Sequence, residues 1–363
     1  MEKSLVGPRF PMLVALTAVV GLAVQGCLSD SATGNDFDLT CTIASNRLFS
    51  GGVSRDGIPA LTDPNLATVQ GENFLDDDDR VLGVEVNGAA RAYPLPLMWW
   101  HEIVNDTLGG ENVLVTYCPL TGSGIAFEPN VGGQVRNFAV SGLLFENNLM
   151  MFDRQTESLW NQMLLGSQCG PERGTSLQRK PITETTWRHW KNLYPATTVV
   201  TYETGVDRAY GAYPYQDYDD PDNPRVQFPT SGFSLRRPPK ELNYGIFDGQ
   251  AAVVFPFGVM EEMGAVAAIN DSLNAVPFLV TWVGADSTAT AFDRRVNGQE
   301  LTFSVADSSG LRFVDAETGT TWDIQGSALS GQLAGEKLRM LEDAYVAFWF
   351  AWDVYYPALR LVE

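Results

Sequence analysis

The second half of the chain repeats a pattern of residues that the first half already contains. Each copy ends in two tryptophans, a tyrosine and a proline with identical spacing, and further matches lie upstream. The matched pairs are Trp187/Trp349, Trp190/Trp352, Tyr194/Tyr356, Pro195/Pro357, Asp153/Asp315, Thr156/Thr318, Trp160/Trp322, Asn105/Asn270, Asp106/Asp271 and Thr116/Thr281. The offset stays between 162 and 165 residues. A constant offset of this kind predicts two tandem duplicated modules.

The two copies differ in the chemistry that they carry. Aligned on the shared frame, Cys118 falls on Val283, and His101 has no histidine counterpart in the second copy. A thiol and an imidazole that occur together in one copy only predict a single site, located in the first module.

The strand patterns predict a mainly β fold with short helices (α+β). An alternating run at Val81–Val86, an Asn-Gly turn and a return strand at Ala90–Leu95 are typical of a hairpin. Neither half shows the alternation of strands and helices that marks a doubly wound sheet. Two further hairpins are predicted, at 124–127 with 135–140 and at 290–294 with 301–305. A short helix or turn is predicted at 187–194. The expected organisation is a first module at 56–204, an inter-module loop at 205–240 and a second module at 241–363.

The charge of the chain narrows its range of partners. The net charge is −20 and the isoelectric point is about 4.4. Binding to a phosphate backbone needs clustered lysine and arginine, so nucleic acid is not an expected partner. Solubility explains the acidity better than a specific cation site does.

The N-terminus resembles an export signal. Lys3 and Arg9 precede an apolar run from Met12 to Val24, which is too short to favour a spanning helix. Cys27 follows directly, as in a bacterial lipoprotein whose signal (residues 1–26) is cleaved before an acylated cysteine. We therefore expect a lipid-anchored protein of the cell envelope, on the outer membrane facing the periplasm if the host has one. Plain secretion is the alternative. Residues 27–55 are predicted to be a flexible tether.

Three cysteines remain after the signal. An exported protein can form disulfides, and an odd count leaves at least one thiol unpaired within the chain. Pairing of Cys41 with Cys169 is the most economical arrangement and would leave Cys118 free, but connectivity cannot be read from sequence.

The candidate site is built around Cys118, which lies where a strand gives way to a Gly-rich turn. Backbone N–H groups in such a turn can stabilise a thiolate and lower its pKa. His101 could act as its base, with Glu102 orienting the ring, and Arg154 could stabilise the thiolate. Each residue also has a plain structural interpretation, namely packing for the cysteine and histidine and surface charge for the other two.

The same residues also suit a metal. A thiolate, an imidazole and the thioether of Met98 would form a set of soft ligands, for which copper is the first expectation and zinc the second. Methionine is, however, far more often core filler.

The loop at 205–240 carries Tyr210, Tyr213, Tyr215 and Tyr218 among glycine, proline and aspartate. Loops of this length are usually functional or mobile. The sequence leaves open whether this loop is a lid over the first module or only a linker.

Several motifs of the chain resemble one bacterial family. They are Asp56-Gly57-Ile58-Pro59, residues 81–84 and 92–95, Trp100-His101-Glu102-Ile103-Val104-Asn105-Asp106, residues 115–120 and 138–144, Asp153-Arg154-Gln155-Thr156, and residues 349–352. They are similar to the domain of unknown function 3179 family, over most of the mature chain. The resemblance implies no activity. Many members carry a second cysteine where this chain has Thr121, and that difference weakens any dithiol redox function.

Two functional hypotheses follow, and whether the protein is an enzyme stays open. The first is a Cys118/His101 site for copper or zinc binding, or for single-thiol chemistry. The second is a non-enzymatic binding or scaffold module, with an inert Cys118 and a glycan or protein partner at the tyrosine-rich loop.

Overall fold

A computed structural model describes residues 40–363. The fold is mainly β with four short α-helices and two 3₁₀ turns, at Ser45–Arg47 and Gly284–Asp286, which confirms the predicted fold class. The elements up to residue 204 are β1 Leu48–Ser50, β2 Leu61–Thr62, β3 Leu66–Thr68, β4 Arg80–Val86, β5 Ala89–Pro94, α1 Leu95–His101, β6 Ile103–Leu108, β7 Glu111–Cys118, β8 Ser123–Glu128, β9 Asn130–Val131, β10 Gln134–Val135, β11 Phe138–Phe145, β12 Asn148–Asp153, β13 Leu159–Asn161, β14 Gly166–Cys169, β15 Gln178–Lys180, β16 Thr183–Thr186, α2 Trp187–Leu193 and β17 Thr198–Val200.

The elements after residue 240 follow in a similar order. They are β18 Leu242–Asp248, β19 Ala251–Pro256, α3 Phe257–Glu262, β20 Val266–Leu273, β21 Val276–Val283, β22 Thr288–Asp293, β23 Arg295–Val296, β24 Gln299–Glu300, β25 Phe303–Asp307, β26 Arg312–Asp315, β27 Thr321–Asp323, β28 Ala328–Ser330, β29 Arg339–Met340, β30 Ala344–Phe348, α4 Trp349–Tyr355 and β31 Arg360–Leu361. The part up to residue 204 is called the first half below, and the part from residue 241 the second half.

Each half contains three sheets and one two-stranded ribbon. In the first half the sheet orders are β16-β4-β5-β17-β3, β15-β8-β7-β6-β2 and β1-β11-β12-β13-β14, with the ribbon β9-β10. In the second half they are β30-β18-β19-β31, β20-β21-β22-β29 and β25-β26-β27-β28, with the ribbon β23-β24. The candidate thiol lies at the end of β7, the central strand of the second sheet of the first half.

Local sequence accounts for some of these elements and misleads for others. The hairpin β4–β5 and the helix α2 confirm the predictions made for them. The two further predicted hairpins are wrong, because β8 and β11 belong to different sheets, as do β22 and β25. The glycine and Asn-Gly turns in those places close only the short ribbons β9–β10 and β23–β24. A turn signal therefore located the reversal of the chain but not the strands that pair.

Matched residues make matched contacts in the two halves. The indole Nε1 of Trp160 donates to Asp153 Oδ2 at 2.9 Å, and Trp322 donates to Asp315 Oδ2 at the same distance. Asn105 exchanges two hydrogen bonds with the backbone of Phe138, as Asn270 does with Phe303. Each of the two asparagine side chains links two sheets of its own half, because β11 and β25 belong to a different sheet from the asparagine.

The two halves pack on each other in a reciprocal way. Strand β16 lies against β22, and β30 lies against β8. The backbone N–H of Phe348 donates to Thr121 O at 2.9 Å, and the hydroxyls of Thr185 and Thr288 lie 2.6 Å apart. Residues 40–363 consequently belong to one compact unit.

A disulfide joins Cys41 to Cys169, at the end of β14, and Cys118 is the free cysteine of the described part. This is the pairing that the sequence made most economical. Strand β1 also pairs with β11. The predicted tether is therefore attached to the first half from residue 40 onward, and its earlier part lies outside the described residues.

The predicted signal peptide and Cys27 also lie outside the described residues. Within residues 40–363, no helix has the length and apolar character that crossing a bilayer requires.

Gly83 in β4 and Gly245 in β18 each allow an indole ring to pack directly on the strand. A Cβ placed on Gly83 would come within 2.3 Å of the Trp190 ring, and one on Gly245 within 2.2 Å of Trp352. We expect Gly83→Ala and Gly245→Ala each to lower the free energy of unfolding by about 1–3 kcal/mol, because either methyl group overpacks a buried ring. Urea unfolding measures this. The matched control is Gly211→Ala, because nothing lies within 4 Å of its Cβ position. Equal stability of all three variants would contradict this account of the packing.

Candidate functional site

Cys118 is buried at the end of β7, with 2% of its surface exposed. Its Sγ donates to the carbonyl oxygen of Asn147 at 3.6 Å. Burial, together with the nearby Glu102 carboxyl, raises the pKa of the thiol to about 11, against hydrogen bonds from Thr121 that lower it. The expected activation of the thiol by the Gly-rich turn is therefore outweighed by the loss of solvent. In this arrangement Cys118 is a protonated thiol.

Glu102 is the buried carboxyl that interacts electrostatically with the thiol. It ends α1 in the left-handed conformation (φ 57°), and its N–H donates to Met98 O at 2.8 Å. Its carbonyl accepts from the N–H of Tyr117, which places Glu102 beside the last residues of β7. Burial raises the pKa of this carboxyl to about 8, against a weak hydrogen bond from Tyr215. A non-glycine residue held at positive φ, with a shifted pKa, is a feature that clusters at functional sites.

His101 is fully buried, and both of its ring nitrogens are occupied. Nδ1 lies 2.6 Å from Pro59 O, and Nε2 lies 2.7 Å from the hydroxyl of Tyr210. A carbonyl can only accept, so the hydrogen-bond network assigns the proton to Nδ1, and Nε2 accepts from the tyrosine. Burial lowers the pKa of His101, which keeps the ring neutral at pH 7. The imidazole therefore holds the tyrosine and does not act on the thiol in this arrangement.

Residues 205–240, called the tyrosine segment below, cover this part of the first half. Besides the bond of Tyr210 to His101, the hydroxyl of Tyr218 donates to Leu120 O at 3.0 Å. The hydroxyl of Tyr215 lies 3.3 Å from Glu102 Oε1. The ring of Tyr213 packs edge-on against Trp99 with 4.9 Å between centroids. All four tyrosines that the sequence singled out therefore contact the site or its immediate neighbours.

Further contacts dock the same segment beside the thiol. The side chain of Asn147, whose carbonyl accepts from Cys118, exchanges two hydrogen bonds with the backbone of Phe228, at 2.7 and 2.9 Å. At the end of the segment, the ammonium group of Lys240 is buried, 3.7 Å from the ring centroid of Tyr218. Burial lowers the pKa of Lys240 to about 8. The segment is thus held by polar contacts to backbone groups in addition to the packing of its aromatic side chains on the core.

A buried polar network lies next to the thiol. Its members are fully enclosed and hydrogen-bonded to one another, and they are Thr116, Thr121, Ser123, Asn148 and Gln162. Thr121 also belongs to the groups that lower the pKa of Cys118. Because satisfied polar networks are rigid and costly to disturb, this one fixes the turn that carries the thiol.

Two of the predicted site residues are engaged elsewhere. Arg154 forms a two-pronged ion pair with Asp56, at 2.6 and 3.0 Å, and its side chain is 44% exposed. Met98 is fully buried within α1 and belongs to the apolar core. The structure brings Cys118 and Glu102 together and places His101 under the same segment, but it does not bring Arg154 to the thiol.

The donor set does not form an assembled metal centre. Within residues 40–363, no three side chains of the histidine, cysteine, aspartate and glutamate types are grouped as metal ligands. Both nitrogens of His101 are already bonded, and Cys118 is protonated. A copper or zinc ion would need these bonds to break first, because metals bind the thiolate and the free ring nitrogen.

Sequence reasoning missed the contacts made by Tyr215, Tyr218 and Asn147. The tyrosines were noticed as a group, but nothing in the sequence assigns each to its partner across about 100 residues. Asn147 was not among the predicted site residues. Asn147 has a positive φ of 63° in the turn between β11 and β12. Asparagine tolerates this conformation, so an asparagine at a chain reversal is the sequence signal that points to it.

The carboxyl of Glu102 makes the stability of the protein depend on pH. Its pKa is raised from 4.5 to about 8, so the unfolded chain releases this proton at lower pH than the folded one does. The contribution of this group to stability is therefore fully present below about pH 4.5 and is lost as pH rises to about 8. We expect Glu102→Gln to be more stable relative to wild type at pH 8 than at pH 5, by up to a few kcal/mol at about 1.4 kcal/mol per pKa unit. Urea unfolding of both proteins at both pH values measures this. A difference independent of pH would contradict it.

Comparison with known proteins assigns the chain to a family. No curated protein and no solved structure matches the chain. A family model described as a protein of unknown function (DUF3179) matches residues 55–359 and so includes every element of the site. The resemblance seen in the motifs is thereby confirmed, and the chain belongs to the DUF3179 family.

Proposed function

We propose that Cys118 and Glu102 form a single-thiol site that the tyrosine segment closes. The observation that carries this proposal is that a thiol and a carboxyl are both buried, near enough for the carboxyl to raise the pKa of the thiol, beside a segment that hydrogen-bonds to Glu102 and Leu120. At pH 7 the thiol, the carboxyl and the imidazole of His101 are all predominantly uncharged, so the closed site holds no charge on these three groups.

The closed arrangement keeps the thiol inert. Transfer of its proton to Glu102 would be unfavourable by about 4 kcal/mol, because the two pKa values are about 11 and about 8. Burial is the main cause of both shifts, so admission of water lowers both values. Reaction therefore requires the segment to open.

In the open site, Glu102 takes the role that the sequence had given to His101. The proton of Sγ passes to a carboxylate oxygen of Glu102, and the sulfur electron pair forms a bond to an electrophilic carbon whose leaving group departs. The neutral His101 is then free to accept a hydrogen bond from the substrate, because its Nε2 loses Tyr210.

Thiol labelling tests the gate. In a Cys27→Ser background, we expect iodoacetamide to alkylate Cys118 slowly, forming an S–C bond and releasing iodide. Tyr218→Phe removes the bond to Leu120, worth about 1 kcal/mol, and should raise the rate about fivefold. The matched control is Tyr213→Phe, because no hydrogen bond of its hydroxyl is found among the described residues. Glu102→Gln in the Tyr218→Phe background should lower the rate at pH 8.

Three outcomes would contradict the proposal. They are labelling of wild type at the rate of an exposed thiol, equal rates for Tyr218→Phe and Tyr213→Phe, and a faster reaction with Glu102→Gln. The last would mean that the carboxylate only repels the thiolate. If the thiol stays unreactive in every variant, the alternative of a binding or scaffold module with an inert Cys118 is the better account.

We further propose that the two halves arose by duplication of one module, with the site kept in the first. The support is the repeated order of elements and the matched Trp–Asp and Asn–Phe contacts. In this view the loss of the thiol from the second copy left Val283 in its place.

We propose that the protein is lipid-anchored through Cys27 in the cell envelope, on the basis of the signal-like N-terminus. The chain expressed in a bacterial host should incorporate labelled palmitate and lose residues 1–26, and Cys27→Ser should incorporate no label and keep its signal. Cys118→Ser is the control and should behave as wild type. Cleavage of the Cys27→Ser chain at the wild-type position would contradict the proposal.

A further inference from the structure

A groove of about 240 Å³ lies between the two halves, away from the thiol. The first half contributes β16 and α2, and the second half contributes β22 and β29. The apolar residues that line it are Trp190, Leu193, Phe292, Ile324 and Leu338. The volume corresponds to about eight water molecules at roughly 30 Å³ each, which is room for a small ring compound.

Three polar side chains line this groove without a hydrogen-bond partner for their side-chain atoms. They are His189 through its Nε2, Thr183 and Thr290, and their exposed fractions are 6%, 8% and 9%. That absence holds for residues 40–363. None of these three polar atoms is fully enclosed, so water or a ligand in the groove can reach them. The groove therefore offers hydrogen-bonding groups that no other part of residues 40–363 occupies.

The imidazole of His189 is held in a fixed orientation. Its Nδ1 lies 3.1 Å from Asp286 Oδ2, and the other carboxylate oxygen accepts from Thr186 at 2.7 Å and from Arg188 at 3.0 Å. Because a carboxylate only accepts, Nδ1 carries the ring proton. Burial lowers the pKa of His189, against the charge of Asp286, so Nε2 is an acceptor at pH 7. The groove therefore offers one fixed acceptor and two hydroxyls that can donate or accept.

The charges at the rim do not select an ion. Lys337 and Arg339 lie on one side, and Glu85 and Glu342 also line the groove, so the formal charges cancel. Arg339 is further paired with Asp293 at 3.2 Å. Recognition must come from the apolar wall and the hydrogen-bonding groups.

We infer that this groove is a binding site for a small, uncharged ring compound that carries an N–H or O–H donor. The ring packs on the wall formed by Trp190, Phe292 and Leu338, and the donor group binds Nε2 of His189. The two threonine hydroxyls bind any further polar substituent. The inference does not depend on the thiol site, which lies under the tyrosine segment.

The chain contains two histidines, which allows a direct test. With ¹³C-labelled histidine, the two Cε1–H signals report on His189 and, as an internal control, on His101 under the tyrosine segment. Phenol supplies a ring with an O–H donor, anisole supplies the same ring without it, and glucose supplies hydroxyls without an aromatic ring. We expect phenol to shift the His189 signal saturably with a Kd below about 1 mM, equivalent to about −4 kcal/mol, and to leave His101 unchanged. Anisole and glucose should bind at least tenfold more weakly.

Two substitutions make the test specific. Thr290→Met fills the groove from β22 and should abolish the shift, while Asp286→Asn removes the carboxylate that orients the ring and should weaken binding at least fivefold. If Asp286→Asn fails to fold, Thr290→Met carries the test, and circular dichroism checks both. The inference is overturned by a linear, equal shift of both histidines, by equal binding of phenol and anisole, by tighter binding of glucose, or by unchanged binding to Thr290→Met.

Discussion

The reciprocal packing of the two halves is the constraint on which the rest of the structure depends. In each half a strand runs directly into a short helix, β16 into α2 and β30 into α4. Each of these corners packs against a sheet of the other half. The β30–α4 corner carries Trp349 and Trp352, which belong to one apolar core with first-half residues, so this corner cannot be exposed without a large loss of buried apolar surface. This arrangement creates two boundaries between the halves, and each passes next to the turn that follows β7 or β21.

The two boundaries are used differently. At the first, the ring of Phe348 lies close to Gly122, whose φ of 58° and lack of a Cβ permit this approach, and the tyrosine segment covers the remaining side. At the second, the equivalent turn carries Asp286, which receives His189, Thr186 and Arg188 from the opposite half. No segment covers that boundary within the described residues in the way that residues 205–240 cover the first. One boundary thus encloses a thiol, and the other leaves an open groove.

The sequence predicted features that depend on short-range spacing. The hairpin at Asn87-Gly88, the helix beginning at Trp187, the mainly β class and the position of Cys118 at the end of a strand all follow from local patterns. The hairpins assigned across residues 128–135 and 294–301 failed, because a turn signal says nothing about which sheet the following strand joins. The prediction of a lowered thiol pKa was wrong for a related reason. The turn at Gly122 suggested a lowered thiol pKa, but burial of the thiol in the folded protein raises it instead. Arg154 was predicted to stabilise the thiolate, yet it pairs with Asp56, which lies 98 residues away in the chain.

The disulfide between Cys41 and Cys169 has a mechanical consequence. It closes a span of 128 residues, so it removes much of the freedom of the unfolded chain, by about 5 kcal/mol for a loop of this size. It also joins the chain upstream of β1 covalently to the far edge of the sheet β1-β11-β12-β13-β14. Tension on residues before Cys41 is therefore carried by a sulfur–sulfur bond into β14 and does not unzip β1 one hydrogen bond at a time. A protein anchored at its N-terminus would therefore resist mechanical unfolding from that end for as long as its surroundings keep the disulfide oxidised.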